Sequence, residues 1–208
     1  MVERPWKISS LPVLMIRSVL PSDTDDALAL CEASSLFQPD ELAEVREMLG
    51  AALDGSLGPD HHWLVDDDDG LASVAYLAPE TFAEGVWNLH LIAVDPACQG
   101  EGRGTAMLRH VEDGLAERGE RLLLIETSGL GSFEQTRAFY RKNGYDEEAR
   151  IRDFYEAGDD KVVFRKALQG TGGAARPLGG SRRSRVRGFT PPAFTHFRRV
   201  ACGDTLHG

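Results

Sequence analysis

Val94-Asp95-Pro96-Ala97-Cys98-Gln99-Gly100-Glu101-Gly102-Arg103-Gly104-Thr105 is the most informative segment of the chain. Val86-Trp87-Asn88-Leu89-His90-Leu91-Ile92-Ala93-Val94 leads into it and reads as a strand, being rich in branched and aromatic side chains. Asp95-Pro96 breaks that strand. A helix is predicted over 102–118: Met107, Val111 and Leu115 line one face, and Gly119 stops it. Glycine in the intervening turn permits positive φ and close approach of a ligand to the backbone. The N–H groups at the helix start then converge, and the helix dipole adds positive potential. The segment thus reads as a pyrophosphate cradle built from main chain, to which Arg103 adds a cation. It is not a Walker A loop, because no Gly-Lys-Ser/Thr is present. It is not a G-x-G-x-x-G dinucleotide loop either: with Gly100 and Gly102 as the first two glycines, Thr105 stands where the third belongs. Gln99-x-x-Gly102-x-Gly104 remains.

Strand and helix signals alternate on both sides of this segment. Val13 to Leu20 reads as a first strand, and Ser22-Asp23-Thr24-Asp25 as the capped start of a helix through Ala33. Pro39-Asp40-Glu41 opens a second helix, with Leu42, Val45, Met48, Leu49 and Leu53 at helical spacing and Gly55 at its end. His62 to Val65 and Leu71 to Leu77 form a hairpin around Asp66-Asp67-Asp68-Asp69-Gly70. The four aspartates lack the ligand spacing of a calcium loop and read as a solvated turn. Arg121 to Ile125 is a buried strand, and Ser132-Phe133-Glu134-Gln135 a capping box for a helix that stops at Gly144. Arg150 to Tyr155 and Lys161 to Arg165 form a closing hairpin. The pattern predicts a mixed sheet with helices on both faces.

The chain has 208 residues, enough for one domain with a core that needs neither disulfide nor metal. Residues 1–10 read as an N-terminal extension, 11–168 as the folded domain, and 169–208 as a Gly/Arg-rich disordered tail. The net charge of −10 is uneven: residues 170–208 hold seven arginines against one aspartate, a net +6, leaving −16 on residues 1–169. So acidic a body opposes nucleic acid as a partner and suits a cationic small substrate. No apolar run reaches the ~18 residues of a membrane span, and the N-terminus does not read as a secretory signal. Cys31, Cys98 and Cys202 form neither a disulfide framework nor a zinc spacing. A cytoplasmic location without a metal cofactor is the expectation.

Gln99-x-x-Gly102-x-Gly104 after a strand resembles the acetyl-CoA signature of the GNAT superfamily of N-acetyltransferases. Further residues carry the resemblance. Leu124-Ile125-Glu126-Thr127-Ser128 is similar to the family's fifth strand, and Phe139-Tyr140-Arg141-Lys142-Asn143-Gly144-Tyr145 to its helix ending in Gly-aromatic. Asp153-Phe154-Tyr155 and Gly158-Asp159-Asp160-Lys161-Val162-Val163-Phe164 look like the closing strands of small bacterial members. The resemblance implies an α/β (α+β) GNAT fold. Its sheet is mixed, mostly antiparallel and six- to seven-stranded, with splayed central strands and about four helices over both faces. It implies acetyl-CoA as co-substrate, held by Ile92, Ala93 and Val94 along the pantetheine arm and by Gln99, Gly100, Glu101, Gly102, Arg103, Gly104 and Thr105 at the pyrophosphate. The acceptor is a primary amine, of a small molecule or of a peptide N-terminus or lysine. A homodimer is compatible with the family.

By the same resemblance Tyr140 matches the general acid near the CoA sulfur, and main-chain N–H groups around Ile92 to Val94 the oxyanion donors. Glu126 matches a strand glutamate of ribosomal-protein N-terminal acetyltransferases and is a candidate base. Many members carry the base six residues before the position of Val94, where this chain has Asn88. His90, on the same face by strand alternation, is the other candidate. Cys98 abuts the cradle, but acyl-enzyme chemistry is not implied. Trp63, Tyr76, Phe82, Trp87, Phe154 and Tyr155 form either an acceptor slot or core. Two alternatives stay open: a non-catalytic acyl-CoA sensor, and an RNA- or tRNA-directed acetyltransferase that uses the basic tail.

Overall fold

The computed structural model describes residues 15–34, 37, 39–68 and 70–168. The expected extension (1–10) and tail (169–208) lie outside the described residues. The elements in chain order are β1 (Ile16–Ser18), α1 (Thr24–Ala33), α2 (Pro39–Leu53), β2 (His62–Asp67), β3 (Leu71–Pro79), β4 (Val86–Val94), α3 (Arg103–Glu117), β5 (Leu122–Ser128), α4 (Glu134–Lys142), β6 (Asp146–Glu156) and β7 (Asp159–Ala167). Seven strands form one sheet in the order β1-β2-β3-β4-β5-β7-β6. Only β4 and β5 run parallel, joined by the α3 crossover, as the expected mixed sheet requires.

Two apolar layers cover the sheet. On one face Met107, Leu108, Val111 and Leu115 of α3 and Phe139 and Tyr140 of α4 pack on Trp87, Leu89, Ile92, Val94, Leu123, Ile125 and Phe164. On the other, Ala27, Leu28, Leu30 and Cys31 of α1 and Val45, Met48 and Leu49 of α2 pack on Trp63, Val65, Val74, Tyr76, Leu91 and Ala93. The helical spacing of these residues is what makes each helix amphipathic and seats it on the sheet.

Three local readings need correction. The first strand is shorter than Val13 to Leu20: it ends at Ser18, and Pro21–Asp23 forms a 3₁₀ turn. Asp23 does not cap α1; its carboxylate accepts from Leu20 N–H at 2.7 Å and from Arg17 at 2.6 Å. Ser132 does not cap α4 either. It lies in the 3₁₀ turn Gly131–Phe133, and the Glu134 carboxylate is taken by Arg137 (2.7 Å) and Arg141 (2.9 Å). In both places a 3₁₀ turn precedes the helix, so the serine does not stand at the helix N-cap, and the neighbouring carboxylate is held by arginine.

Candidate active site

The central feature is a wedge between β4 and β5. Their parallel ladder runs from Val86 opposite Leu122 to Leu89 opposite Ile125 and goes no further. Past that point β4 stays on β3 to Val94, and β5 stays on β7 to Ser128. The strands separate where His90 and Glu126 begin the free stretches. A β-bulge marks the same place: Tyr76 stands opposite Leu91 and Leu77 opposite Leu89, so His90 is the extra residue. The bulge shifts the alternation by one, which puts both Leu89 and Ile92 on the α3 face.

Hydrogen-bond parity determines what β4 offers the wedge. Asp95 N–H donates to Ala72 C=O at 2.9 Å, in the same register as the β3–β4 ladder. Bonded pairs alternate in an antiparallel ladder, so Ala93 also turns its main chain to β3. Ile92 and Val94 turn theirs away from β3, into the wedge. Of the three residues expected along the pantetheine arm, these two present N–H and C=O groups, and Ala93 packs on the α1 side.

At the mouth of the wedge lies the glycine turn. Pro96–Cys98 is a 3₁₀ turn held by the Asp95 carboxylate on Ala97 N–H at 2.7 Å. Gly100 and Gly102 have φ of +79° and +82°, and Gly102 is the N-cap of α3. L side chains disfavour that region, and a Cβ on either glycine would meet open space. Ala106 N–H reaches Gly102 C=O at 3.0 Å, so the N–H groups of residues 103–105 belong to the first turn of α3, ahead of its i→i−4 ladder. A helix start with its N-terminal dipole, beside glycines with clear space at Cβ, fits a pyrophosphate.

Arg103 departs from the reading of it as the cradle's cation. Its side chain is 6% exposed and reaches the aspartate turn, with Nη1 on Asp66 Oδ2 at 3.0 Å and Nη2 on Asp68 Oδ2, while Nε lies 3.9 Å from Glu101 Oε2. The aspartate turn is corrected by the same contacts. Asp66 is fully buried, and Asp67 accepts from Arg17 at 2.7 Å, so these residues clasp two arginines rather than merely meeting solvent.

The candidate acid–base groups approach the wedge from both faces. Tyr140 is fully buried against Phe139, Tyr145 and Phe164 on the α3–α4 face. His90 lies on the opposite face, its ring 5.4 Å from that of Tyr76. Burial pushes its imidazole down to about 4, a trend that the nearby Glu126 carboxylate opposes. His90 is therefore neutral near pH 7. Glu126 Oε2 accepts from Lys161 Nζ at 2.8 Å, and that ammonium also lies 4.0 Å from the centre of the Phe154 ring. Local sequence reading missed Lys161; its only signal was its place in the closing hairpin. Asn88 donates to Glu80 at 3.2 Å and brings no base of its own.

The β6–β7 hairpin is shaped by Asp153, a non-glycine residue at φ +51°. Its N–H donates to Asp160 at 3.1 Å and its carboxylate accepts from Gly158 N–H at 2.7 Å. Phe154, the next residue, lies beside Lys161 and against Tyr155. The six aromatics do not gather into one slot. Trp63 and Tyr76 are core on the α1–α2 face, Trp87 is core on the α3 face, and Phe82 is fully exposed. Cys98 has its thiol pushed up by burial and by Asp95 and Glu101, which disfavours a nucleophilic thiolate. Among the described residues no group of three or more His, Cys, Asp or Glu side chains is placed to hold a metal, and no helix is long and apolar enough to cross a membrane.

Comparisons with known proteins bear on the same elements. The profile of the acetyltransferase (GNAT) domain matches residues 58–147, which span β2 through α4 into β6. A crystal structure of a protein assigned to the GNAT family of acetyltransferases from Desulfovibrio desulfuricans is similar at 34% identity, with a TM-score of 0.71, covering 75% of this chain and 99% of that one. The ribosomal-protein-S18-alanine N-acetyltransferase of Escherichia coli shares the fold at 20% identity and TM-score 0.63, covering 81% of this chain and 100% of that one. An aminoglycoside 6'-N-acetyltransferase complexed with coenzyme A shares it at 18% identity and TM-score 0.59, covering 78% and 99%. No curated protein sequence matches the chain.

Proposed function

Since the chain belongs to the GNAT acetyltransferase family, we propose that it transfers an acetyl group from acetyl-CoA to a primary amine, by direct attack in a ternary complex. The observation that carries this is the wedge opening at Leu89 and Ile125, with β4 leading on into the glycine turn and the N-terminus of α3. When bound, acetyl-CoA supplies a thioester carbonyl that an amine nitrogen can attack. The N–H groups of residues 101–105 hold the pyrophosphate, and the α3 dipole adds to them. Ile92 and Val94 pair their main chain with the pantetheine arm as a further strand would, and their N–H groups favour negative charge on the carbonyl oxygen. Glu126 takes the proton from the incoming ammonium at its carboxylate. Lys161 keeps that carboxylate oriented, and neutral His90 offers a second acceptor beside it. Tyr140 delivers a proton from its hydroxyl to the departing sulfur.

Acceptor amines of two kinds are suggested by the structural relatives, whose names specify a ribosomal-protein alanine and an aminoglycoside. The acidic body favours a cationic acceptor by long-range attraction. Thiol release from acetyl-CoA across a panel of peptides, polyamines and aminoglycosides tests the proposal. Turnover with at least one amine, depressed in Tyr140→Phe at unchanged acetyl-CoA affinity, is the expected result. Asn88 favours a second reading, an acyl-CoA sensor without turnover, because it leaves a frequent base position of the family without a carboxylate. Tight acetyl-CoA binding with no turnover on any amine would select it.

A further inference from the structure

We propose that Asp66, assisted by Asp68, is a positioning residue for the anion cradle and acts through Arg103; the inference rests on that cradle being the acetyl-CoA site. Asp66 on β2 stands opposite Ser73 on β3, and Ser73 stands opposite Val94, the last residue of β4. These three residues form one row across the sheet, at the edge where the turn departs. Arg103 is the first residue of α3. Its guanidinium returns to the start of that row and donates to Asp66 at 3.0 Å and to Asp68. The turn is therefore fastened at both ends. Asp95 N–H on Ala72 C=O at 2.9 Å fixes its exit from β4, and the Arg103 ion pair fixes its entry into α3.

Between these fastenings stand Gly100 and Gly102, both at positive φ, where a Cβ would meet nothing within 4 Å. Glycine has the widest backbone freedom, so a fixed anchor at the first residue of α3 helps to set the aim of the N–H groups at 101–105. The Asp66–Arg103 pair is the restraint at hand. Net stability does not account for it well. A buried ion pair contributes little relative to apolar side chains of the same volume. This one is also incompletely satisfied, since Asp66 Oδ1 and Arg103 Nε have no hydrogen-bond partner among the described residues. The planar guanidinium does, however, hold two carboxylates at a fixed angle, which lysine or an apolar side chain would not. The acidic turn is anchored in its own right: Arg17 binds Asp67 at 2.7 Å and Asp23 at 2.6 Å, tying the turn to β1 and the approach to α1.

Titration calorimetry of the full chain with acetyl-CoA tests this, using wild type, D66N and the double variant D66L/R103L. The measured affinity and stoichiometry separate positioning from folding. Loss of aim in one or two charge-assisted contacts is expected to weaken D66N binding about tenfold at unchanged stoichiometry. A purely structural role would lower the stoichiometry and leave the affinity alone, and either that result or wild-type behaviour overturns the proposal. If D66N does not fold, D66L/R103L decides, since it leaves no unpaired buried charge. Folded by circular dichroism and about tenfold weaker, it supports positioning; folded with wild-type affinity, it refutes it. Failure of wild type itself to bind acetyl-CoA would instead defeat the assignment of the cradle.

Discussion

Acidification should destabilise this protein through His90 in a measurable way. The imidazole is held down to about 4 from an ordinary 6.5, first by burial, with His61 adding to the effect and Glu126 opposing it. The unfolded chain therefore binds a proton that the folded chain refuses between pH 6.5 and about 4. Stability is fully present above pH 6.5 and falls as pH drops through that window. Each unit is worth about 1.4 kcal/mol, so the full effect is about 3 kcal/mol, of which about 2 kcal/mol is lost between pH 7 and pH 4.5. Other groups titrate nearby. His61 and His62 are also pushed down by burial, and Asp23, Glu134 and Glu147 are held low by arginines. Their contribution is removed by comparing wild type with His90→Gln in urea unfolding at pH 7.0 and 4.5. Wild type should lose about 2 kcal/mol more than the variant over that interval. Equal losses would show that burial does not disfavour the charged form of His90, and the account of its neutrality would be refuted.

Other consequences are as direct. Glu126→Gln should lower kcat by about 10²–10⁴ while leaving acetyl-CoA affinity within a factor of about two, as measured by thiol release and calorimetry. Gly102→Ala forces a Cβ onto φ +82° and should cost about 1–2 kcal/mol in urea unfolding. It should also weaken acetyl-CoA binding, because the same residue opens the cradle. Leu89→Ala empties a fully buried position at the apex of the wedge and should cost about 2–5 kcal/mol, with little change in the urea m-value.

Much of this architecture is local and so was legible in the sequence. The glycine turn after β4, the helix positions of Met107, Val111 and Leu115, and the hairpin spacings all follow from short-range rules. The mostly antiparallel sheet with splayed central strands came from the family resemblance carried by Gln99-x-x-Gly102-x-Gly104 and Phe139-Tyr140; the strand order β1-β2-β3-β4-β5-β7-β6 came from the structure. What escaped reading depends on residues far apart in the chain. Arg103 reaches back across 37 and 35 residues to Asp66 and Asp68, so a local rule reads the aspartates as solvated and the arginine as a free cation. Lys161 meets Glu126 across 35 residues, and no pattern in either strand announces it. The caps at Ser22 and Ser132 failed because each serine lies inside a 3₁₀ turn, Pro21–Asp23 and Gly131–Phe133, and the helix N-cap falls one residue later, at Asp23 and Phe133. The bulge at His90 inserts one residue into an otherwise regular strand, and apolar side chains on both sides of it hide the change of phase.

Thermal unfolding with acetyl-CoA, free CoA and NAD addresses the central claim most directly, because it reads the cradle without an acceptor. At about 100 times its dissociation constant a ligand stabilises by about 2.7 kcal/mol, which for a domain of this size raises the midpoint by about 5–11 °C. The cradle and wedge predict that shift with acetyl-CoA and none with NAD. No shift with any CoA species would contradict the account, and the turn from Gly100 to Gly104 would then be only a connection between β4 and α3.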